Sequence, residues 1–152
     1  MKVKIQMKPV NTIVARLGVG RDGDVQKFVT NTINRRITRY MPYRSSVLST
    51  KAKFIKSPTE IEVDAPYAQY QYYGKVMVDP ITGAAGFLDK DGQWKSRRGV
   101  PKVKTDRDLD YTQSKNHHPR AGPFWDRHLM AAEGQQIAAK VQQYVKRKGG
   151  GR

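Results

Sequence analysis

The chain of 152 residues contains no cysteine, and this absence removes disulfides, zinc–thiolate sites and cysteine nucleophiles from consideration. No apolar stretch reaches the roughly 18 residues that a membrane span needs, so we expect no transmembrane helix and no membrane partner. Met1 to Lys4 leads into no apolar segment, and we therefore expect no secretory signal. The length suits one α+β domain, predicted over residues 1–148, with a flexible tail at 149–152.

Acidic residues are also scarce: 13 Asp and Glu face 29 Lys and Arg, which gives a net charge of +16. The excess lies at the two ends of the chain, because residues 1–60 carry +10, residues 61–110 are neutral and residues 111–152 carry +6. Such a field attracts polyanions, of which nucleic acid is the usual one. No nucleic-acid motif accompanies the charge, so a solvated surface or an acidic protein partner explains it equally well.

The first half of the chain predicts a strand, a helix and two further strands. Val3, Ile5 and Met7 alternate with polar residues, as in a half-buried strand. A helix capped by Asp22 or Asp24 then runs to about Tyr40, with apolar residues recurring at three- and four-residue steps. Residues 45–63 predict two strands around the turn Ser57-Pro58.

The second half predicts a short helix, an extended region and a long final helix. Pro66 opens the short helix, and Gly74 closes it in the left-handed conformation. Residues 75–121 form the extended region, with a strand at 75–78, a hairpin around the turn at 89–92 and a flexible basic loop at 96–104. The final helix runs from Pro123 to about Lys146. Its predicted buried stripe consists of Met130, Gly134, Ile137, Ala138, Val141, Tyr144 and Val145.

These elements predict an α+β fold. In it, a small antiparallel sheet is packed by a long helix from the N-terminal half and by the long C-terminal helix.

Two short motifs imitate known sites but lack the context that the sites require. Gly18 to Gly23 spells G-x-G-x-x-G, yet the next acid after Asp24 is Glu60, too far for a ribose contact. A flexible joint before the helix explains the glycines better, and we expect no cofactor. Asp106 opens a D-x-D-x-D pattern, but no glycine follows at the sixth position of a calcium loop. Alternating charges on an exposed strand explain this pattern better.

The tyrosines Tyr67, Tyr70, Tyr72 and Tyr73 could stack on nucleobases. On a helix, Tyr72 points away from Tyr70 and Tyr73, so the rings do not form one flat platform. Packing at the edge of a core or at a subunit contact explains them better.

All three histidines lie in the segment HHPRAGPFWDRH, residues 117–128. His117 and His118 are adjacent and point in opposite directions in an extended chain, and no zinc-binding spacing is present, so we expect neither a metal nor a catalytic site. Proline and glycine residues instead predict a corner before the last helix. With Ile137 as the reference, Phe124 and Trp125 leave the buried stripe and should dock on the sheet or on a neighbouring subunit.

The order of five segments resembles that of the minor capsid and tail-completion (head–tail joining) proteins of tailed bacteriophages. These are the lysine-rich first strand, NTIVARLGVGRDGDVQKFV, YMPYRSSVL, DAPYAQYQYYG and PRAGPFWDRHLMAAEGQQI. The resemblance covers nearly the whole chain, although residues 75–118 are longer than in compact members. It departs at residues 44–46, where such proteins often carry Thr-Gly before Leu.

The resemblance implies a non-enzymatic neck subunit of the virion, assembled in the host bacterial cytoplasm. It implies a homo-oligomeric ring of six or twelve copies that contacts adjacent connector, adaptor or tail proteins, with genomic DNA passing through the lumen. The candidate assembly and docking residues are Pro66, Tyr67, Tyr73, Gly74, Pro119, Pro123, Phe124, Trp125 and Arg127. The candidate contacts to DNA or to another ring are Arg97, Arg98, Lys102, Lys104, Lys146, Arg147 and Lys148.

Two alternatives stand beside this interpretation. A free basic nucleic-acid-binding protein would lose DNA affinity steeply with salt and on charge reversal of the cations at 97–104. A metal-dependent nuclease would lose DNA cleavage on His118→Ala.

Overall fold

Three antiparallel strands form the central sheet in the computed structural model of the chain, which describes residues 2–6, 23–43 and 47–149. They are β1 (Lys2–Gln6), β2 (Lys53–Ser57) and β3 (Glu60–Asp64), in the order β1–β3–β2. Val3 pairs with Val63 and Ile5 with Ile61, so the apolar side chains of both strands lie on one face. This face is the sheet side of the core.

Helix α1 (Asp24–Ile37) packs on the sheet and continues into a 3-10 turn, Thr38–Tyr40. The predicted cap is wrong in one respect, since Gly23 occupies the N-cap position and Asp24 is the first helical residue. An acid there still suits the positive end of the helix dipole. The other proposed cap, Asp22, and the rest of the Gly18–Gly23 motif lie outside the described residues.

Both strands predicted in the 45–63 region are present, but the first is shorter than predicted. Val47–Lys51 forms a π-helical turn, and β2 begins only at Lys53. The segment showed no clean alternation of apolar residues, which is what a half-buried strand requires. The predicted turn at Ser57-Pro58 is confirmed, because β2 ends at Ser57 and β3 starts at Glu60.

The middle of the chain contains two short helices and two separate two-stranded sheets. Their elements are α2 (Ala68–Tyr73), β4 (Lys75–Val78), β5 (Phe87–Leu88), β6 (Trp94–Lys95), β7 (Val103–Asp108) and α3 (Thr112–Lys115). Strand β4 pairs with β7 and β5 with β6, both antiparallel. The predicted loop at 96–104 is therefore two residues too long, since Val103 and Lys104 pair with Val78 and Met77.

The last helix, α4, spans Trp125–Gly149 and lies antiparallel to α1. It begins two residues later than predicted and includes Gly149, which the sequence placed in the flexible tail. Its buried line also differs from the predicted stripe. The buried residues recur every fourth position: Trp125, Leu129, Glu133, Ile137 and Val141.

A four-residue step turns about 40° past a full helical turn, so this line winds around α4. Trp125 at the start of the helix and Val141 near its end therefore both reach the core, although they lie on different sides of the axis. The predicted α+β class is confirmed: a small antiparallel sheet packs against α1 and α4. Within the described part of the chain, no helix has the length and apolar character to cross a membrane.

Candidate assembly and docking surfaces

A corner at residues 118–124 connects α3 to α4. Pro119 sits at the second position of a turn closed by the Ala121 amide donating to the His118 carbonyl at 2.9 Å. The Phe124 amide donates to the Tyr72 carbonyl at 2.8 Å, which ties the corner to α2. Phe124 itself has a φ of 49°, a left-handed conformation that a bulky residue rarely adopts. The chain turns there from its extended approach into α4.

Tyr72 on α2 holds the aromatic side chains at this corner. Its ring meets the rings of Phe124, Trp125 and Tyr73 edge-on, with centroids 5.0–5.3 Å apart. Its hydroxyl donates to Asp126 Oδ1 at 2.9 Å. Burial, and then the bond to Asp126, raises the pKa of Tyr72 to about 12, so the hydroxyl remains a donor at neutral pH. The sequence placed Tyr72 at the edge of the core but not among the docking residues, because its contacts depend on where α4 starts. The expectation that Tyr72 points away from Tyr73 is wrong, since the two rings are in contact.

Phe124 and Trp125, which the sequence predicted to lie off the helix stripe, are buried to different extents. Trp125 is fully buried in the same core cluster as Val3 and Ile61 of the sheet, so it is a core residue of its own chain. Phe124 is partly buried and docks on α2 of its own chain, where Tyr72 and Tyr73 contact it. The exposed Arg127 guanidinium lies 5.1 Å from the Phe124 ring centroid. The corner is therefore closed by contacts within the chain.

The other predicted docking residues divide into packed and exposed positions. Gly74 is buried and left-handed, with a φ of 69°, and it ends α2 as predicted. Pro66 is exposed in the turn before α2, which begins only at Ala68, so Pro66 does not open that helix. Tyr67 and Tyr73 remain about 40% exposed and so stay accessible to another molecule.

The three histidines do not converge on one point. His118 Nδ1 lies 2.8 Å from the Met41 carbonyl, and the His117 ring packs against Tyr43 with centroids 4.2 Å apart. His128 is exposed on α4. Over residues 2–6, 23–43 and 47–149, no group of three or more His, Asp or Glu could hold a metal ion.

A buried carboxylate joins α1 to α4. Glu133 pairs with Arg36, accepts from the Tyr40 hydroxyl at 2.9 Å and lies 3.3 Å from Arg120 Nη1. Burial alone would raise the pKa of Glu133, but hydrogen bonds from Arg36 and Tyr40 outweigh it and hold that pKa below its usual value. Sequence reasoning missed this network, because its members are far apart along the chain.

Residues 79–102 form an arm whose base is closed by Asp79. The Asp79 carboxylate accepts from Arg97 Nε at 2.6 Å and from Arg97 Nη2 at 3.1 Å, a bidentate pair. The Ile81 and Thr82 amides also donate to Asp79 Oδ1. The hydrogen bond from Arg97 is the main reason that the pKa of Asp79 lies below its usual value, against the effect of burial. The Arg97 guanidinium is therefore already paired with a carboxylate of its own chain.

The arm carries large apolar side chains that its own chain leaves in solvent. Ile81 is 75% exposed, Leu88 64%, Trp94 58% and Phe87 48%. The hairpin is nevertheless ordered by polar contacts, since the Asp91 and Gln93 amides both donate to Asp89 Oδ1 at 2.9 Å. Leu88 and Trp94 pair across the hairpin and share one of its faces, whereas Phe87 pairs with Lys95 on the other face. The exposed apolar side chains of the arm are candidates for burial against another molecule.

The remaining predicted cations on the arm and beside it differ in whether they are engaged within the chain. Lys102 donates to the Ala85 carbonyl, and Lys104 Nζ lies 5.4 Å from the Tyr73 ring centroid. Arg98 is exposed and has no ion pair among the described residues. Of the C-terminal cations, Lys148 pairs with Asp24, whereas Lys146 and Arg147 are exposed on α4.

Comparison of the chain with protein-family models, with curated proteins and with solved structures finds no match.

Proposed function

We propose that the chain is a structural, non-enzymatic subunit of the neck of a tailed bacteriophage. In this proposal, copies assemble into a ring that joins or completes head and tail around the DNA channel, and they contact neighbouring connector or tail proteins. The ring belongs to the virion and assembles in the host bacterial cytoplasm. The order of segments that resembles minor capsid and tail-completion proteins supports this assignment.

The observation that carries the proposal is the exposed apolar surface of the arm. Phe87, Leu88 and Trp94 lie on a two-stranded hairpin that leaves about half or more of each side chain exposed. Burying such side chains stabilises a contact by about 25 cal/mol for each Å² of apolar surface removed from water. An arm that inserts into the next copy forms a head-to-tail contact, and such contacts generate a ring when the rotation between successive copies closes. The aromatic character of the arm also suits an interface anchor.

Sedimentation velocity and negative-stain electron microscopy test the proposal at both low and high salt. The wild type should form closed rings, and the variant Phe87→Ser/Trp94→Ser should remain monomeric with an unchanged circular dichroism spectrum. Ile55→Ser is the matched control, because Ile55 is 37% exposed on β2, outside the arm, and should assemble like the wild type. A wild type that stays monomeric in all conditions, or an arm variant that assembles normally, would contradict the proposal.

The second candidate is a free nucleic-acid-binding protein, which the net charge of +16 favours. It differs from the neck subunit in remaining monomeric while it binds DNA. Sedimentation of the protein with and without a DNA duplex therefore separates the two functions.

A further inference from the structure

The groove between α1 and α4 combines cations from the two basic ends of the chain. The helices run antiparallel, so that Phe28 lies opposite Tyr144, with rings stacked 4.2 Å apart and 6° from parallel. The groove has a volume of about 270 Å³. It is lined by Phe28, Thr32, Arg35, Lys140, Gln143, Tyr144 and Arg147. None of these residues is acidic.

Three of the lining residues, Arg35, Lys140 and Arg147, are cations, and the acids of the two helices are bonded to other residues. The two helices carry only three acids, and each is engaged: Asp24 by Lys148, Asp126 by Tyr72 and Glu133 by Arg36 and Arg120. Arg35, Lys140 and Arg147 are exposed and form no ion pair with any described residue. The groove lining therefore carries three cations and no acid, and the Asp24–Lys148 pair beside Tyr144 adds no net charge.

The spacing of the cations suits a linear polyanion. Lys140 and Arg147 are seven residues apart on α4, a rise of about 10 Å along the helix axis. Arg35 on α1 and Lys140 on α4 both line the groove. The stacked rings of Phe28 and Tyr144 also line it. An extended chain of phosphates running along the groove would meet a cation at either end.

We propose that this groove binds the phosphodiester backbone of duplex DNA without sequence preference. Arg35 and Arg147 present planar guanidinium groups that match phosphate oxygens, and Lys140 adds a point charge. The choice of DNA as the source of the phosphates rests on the proposed neck function, whereas the chemistry of the groove does not. The site includes Arg147 from the candidates that the sequence indicated, whereas Arg97 and Lys102 on the arm are engaged within their own chain.

The observations favour a nucleic acid over an acidic protein. A protein interface gains its affinity from apolar and aromatic anchors at its centre. The large exposed apolar side chains all lie outside this groove, on β2, on α2 and on the segment 81–103. The groove instead combines three exposed cations with the partly buried rings of Phe28 and Tyr144, and clustered cations are typical of backbone contacts to nucleic acid.

Fluorescence anisotropy of a labelled duplex of mixed sequence, measured over a range of salt concentrations, tests the proposal on the full chain. The variant Lys140→Gln/Arg147→Gln should bind at least tenfold more weakly at low salt. The magnitude of its log–log salt slope should fall by about 2, since each lost phosphate contact removes about 0.9. Lys51→Gln/Lys90→Gln is the matched control, with the same change in net charge at two exposed lysines away from the groove. It should retain the wild-type slope.

Three results would overturn the proposal. The first is an equal loss of DNA affinity in both variants, which would assign binding to net charge alone. The second is an absence of binding by the wild type at low salt. The third is displacement of the duplex by poly-glutamate of matched charge at equal concentration. Ring assembly is measured separately by sedimentation. A ring-forming protein that fails to bind DNA refutes the groove alone, and a DNA-binding monomer refutes the ring alone.

Discussion

Gly74 lies so close to Pro123 that a Cβ built on Gly74 would stand 2.8 Å from the Pro123 Cβ. This contact brings the end of α2 against the corner that starts α4. The left-handed φ of 69° and the absence of a side chain are both needed at Gly74, because the first closes the helix and the second admits the proline ring.

Replacing Gly74 by alanine should destabilise the fold by about 2–3 kcal/mol, which combines left-handed strain with an overpacked contact. Gly92→Ala is the matched control, since Gly92 has a φ of 72° but nothing within 4 Å of a built Cβ. It should cost only about 1 kcal/mol. Urea unfolding measures both values, and equal losses would show that the contact with Pro123 is unimportant.

The two tryptophans should separate folding from assembly. Trp125→Ala empties a fully buried site and should cost about 3–5 kcal/mol, so the thermal midpoint falls sharply. Trp94→Ala removes a ring that is 58% exposed and should change the unfolding free energy by no more than about 0.5 kcal/mol. In the proposed ring, Trp94→Ala should nevertheless weaken assembly. A folding defect of the same size in both variants would contradict this division.

Glu133→Gln should destabilise the junction of α1 and α4, because the neutral amide leaves the Arg36 charge without its partner. We expect about 2–3 kcal/mol, at the low end for a broken buried pair because Arg120 is largely exposed. The folded-state pKa of Glu133 lies below its usual value, so its contribution is present above the unfolded pKa and is lost on acidification. The difference in unfolding free energy between Glu133→Gln and the wild type, measured with urea, should therefore narrow below about pH 4. A difference that widened there would contradict the assigned ion pair.

Lys53 should make the stability of the protein depend on alkaline pH. Its ammonium group donates to the Asn34 carbonyl and, at 2.7 Å, to Thr38 Oγ1, and burial lowers the pKa of Lys53 to about 8. Between about pH 8 and 10.5, the Lys53 amine is neutral in the folded state but stays protonated in the unfolded state. The free energy of unfolding therefore rises with pH in this window.

The matched comparison is Lys53→Met, which keeps the length of the side chain and removes the titration. Relative to this variant, the wild type should gain about 1–2 kcal/mol from pH 7.5 to 10, reduced from the full shift because the group is not completely buried. Urea unfolding at the two pH values measures the gain. A constant difference between the two proteins would show that Lys53 titrates normally.

Local patterns along the chain were sufficient for the class of fold. The alternation at Val3 and Ile5, the helical periodicity after Asp24 and the turn residues around Gly74 and Gly92 all predict elements that the structure contains. These signals depend on neighbours within a few positions. The positions of the turns, including the left-handed Gly74, follow from the conformational preferences of individual residues.

The roles of Trp125, Glu133 and Arg97 were decided only by the packing of distant segments. The buried line on α4 winds around the helix because α4 follows its partners obliquely, and this line brings in Trp125 against the expectation from a straight stripe. Likewise, the basic ends of the chain are visible in the sequence. Only when α1 meets α4, however, do Asp24 and Glu133 pair with other cations, so that Arg35, Lys140 and Arg147 in the groove have no acidic partner. Periodicity and charge are local properties of the chain, whereas burial and neutralisation depend on which segments meet in the folded protein.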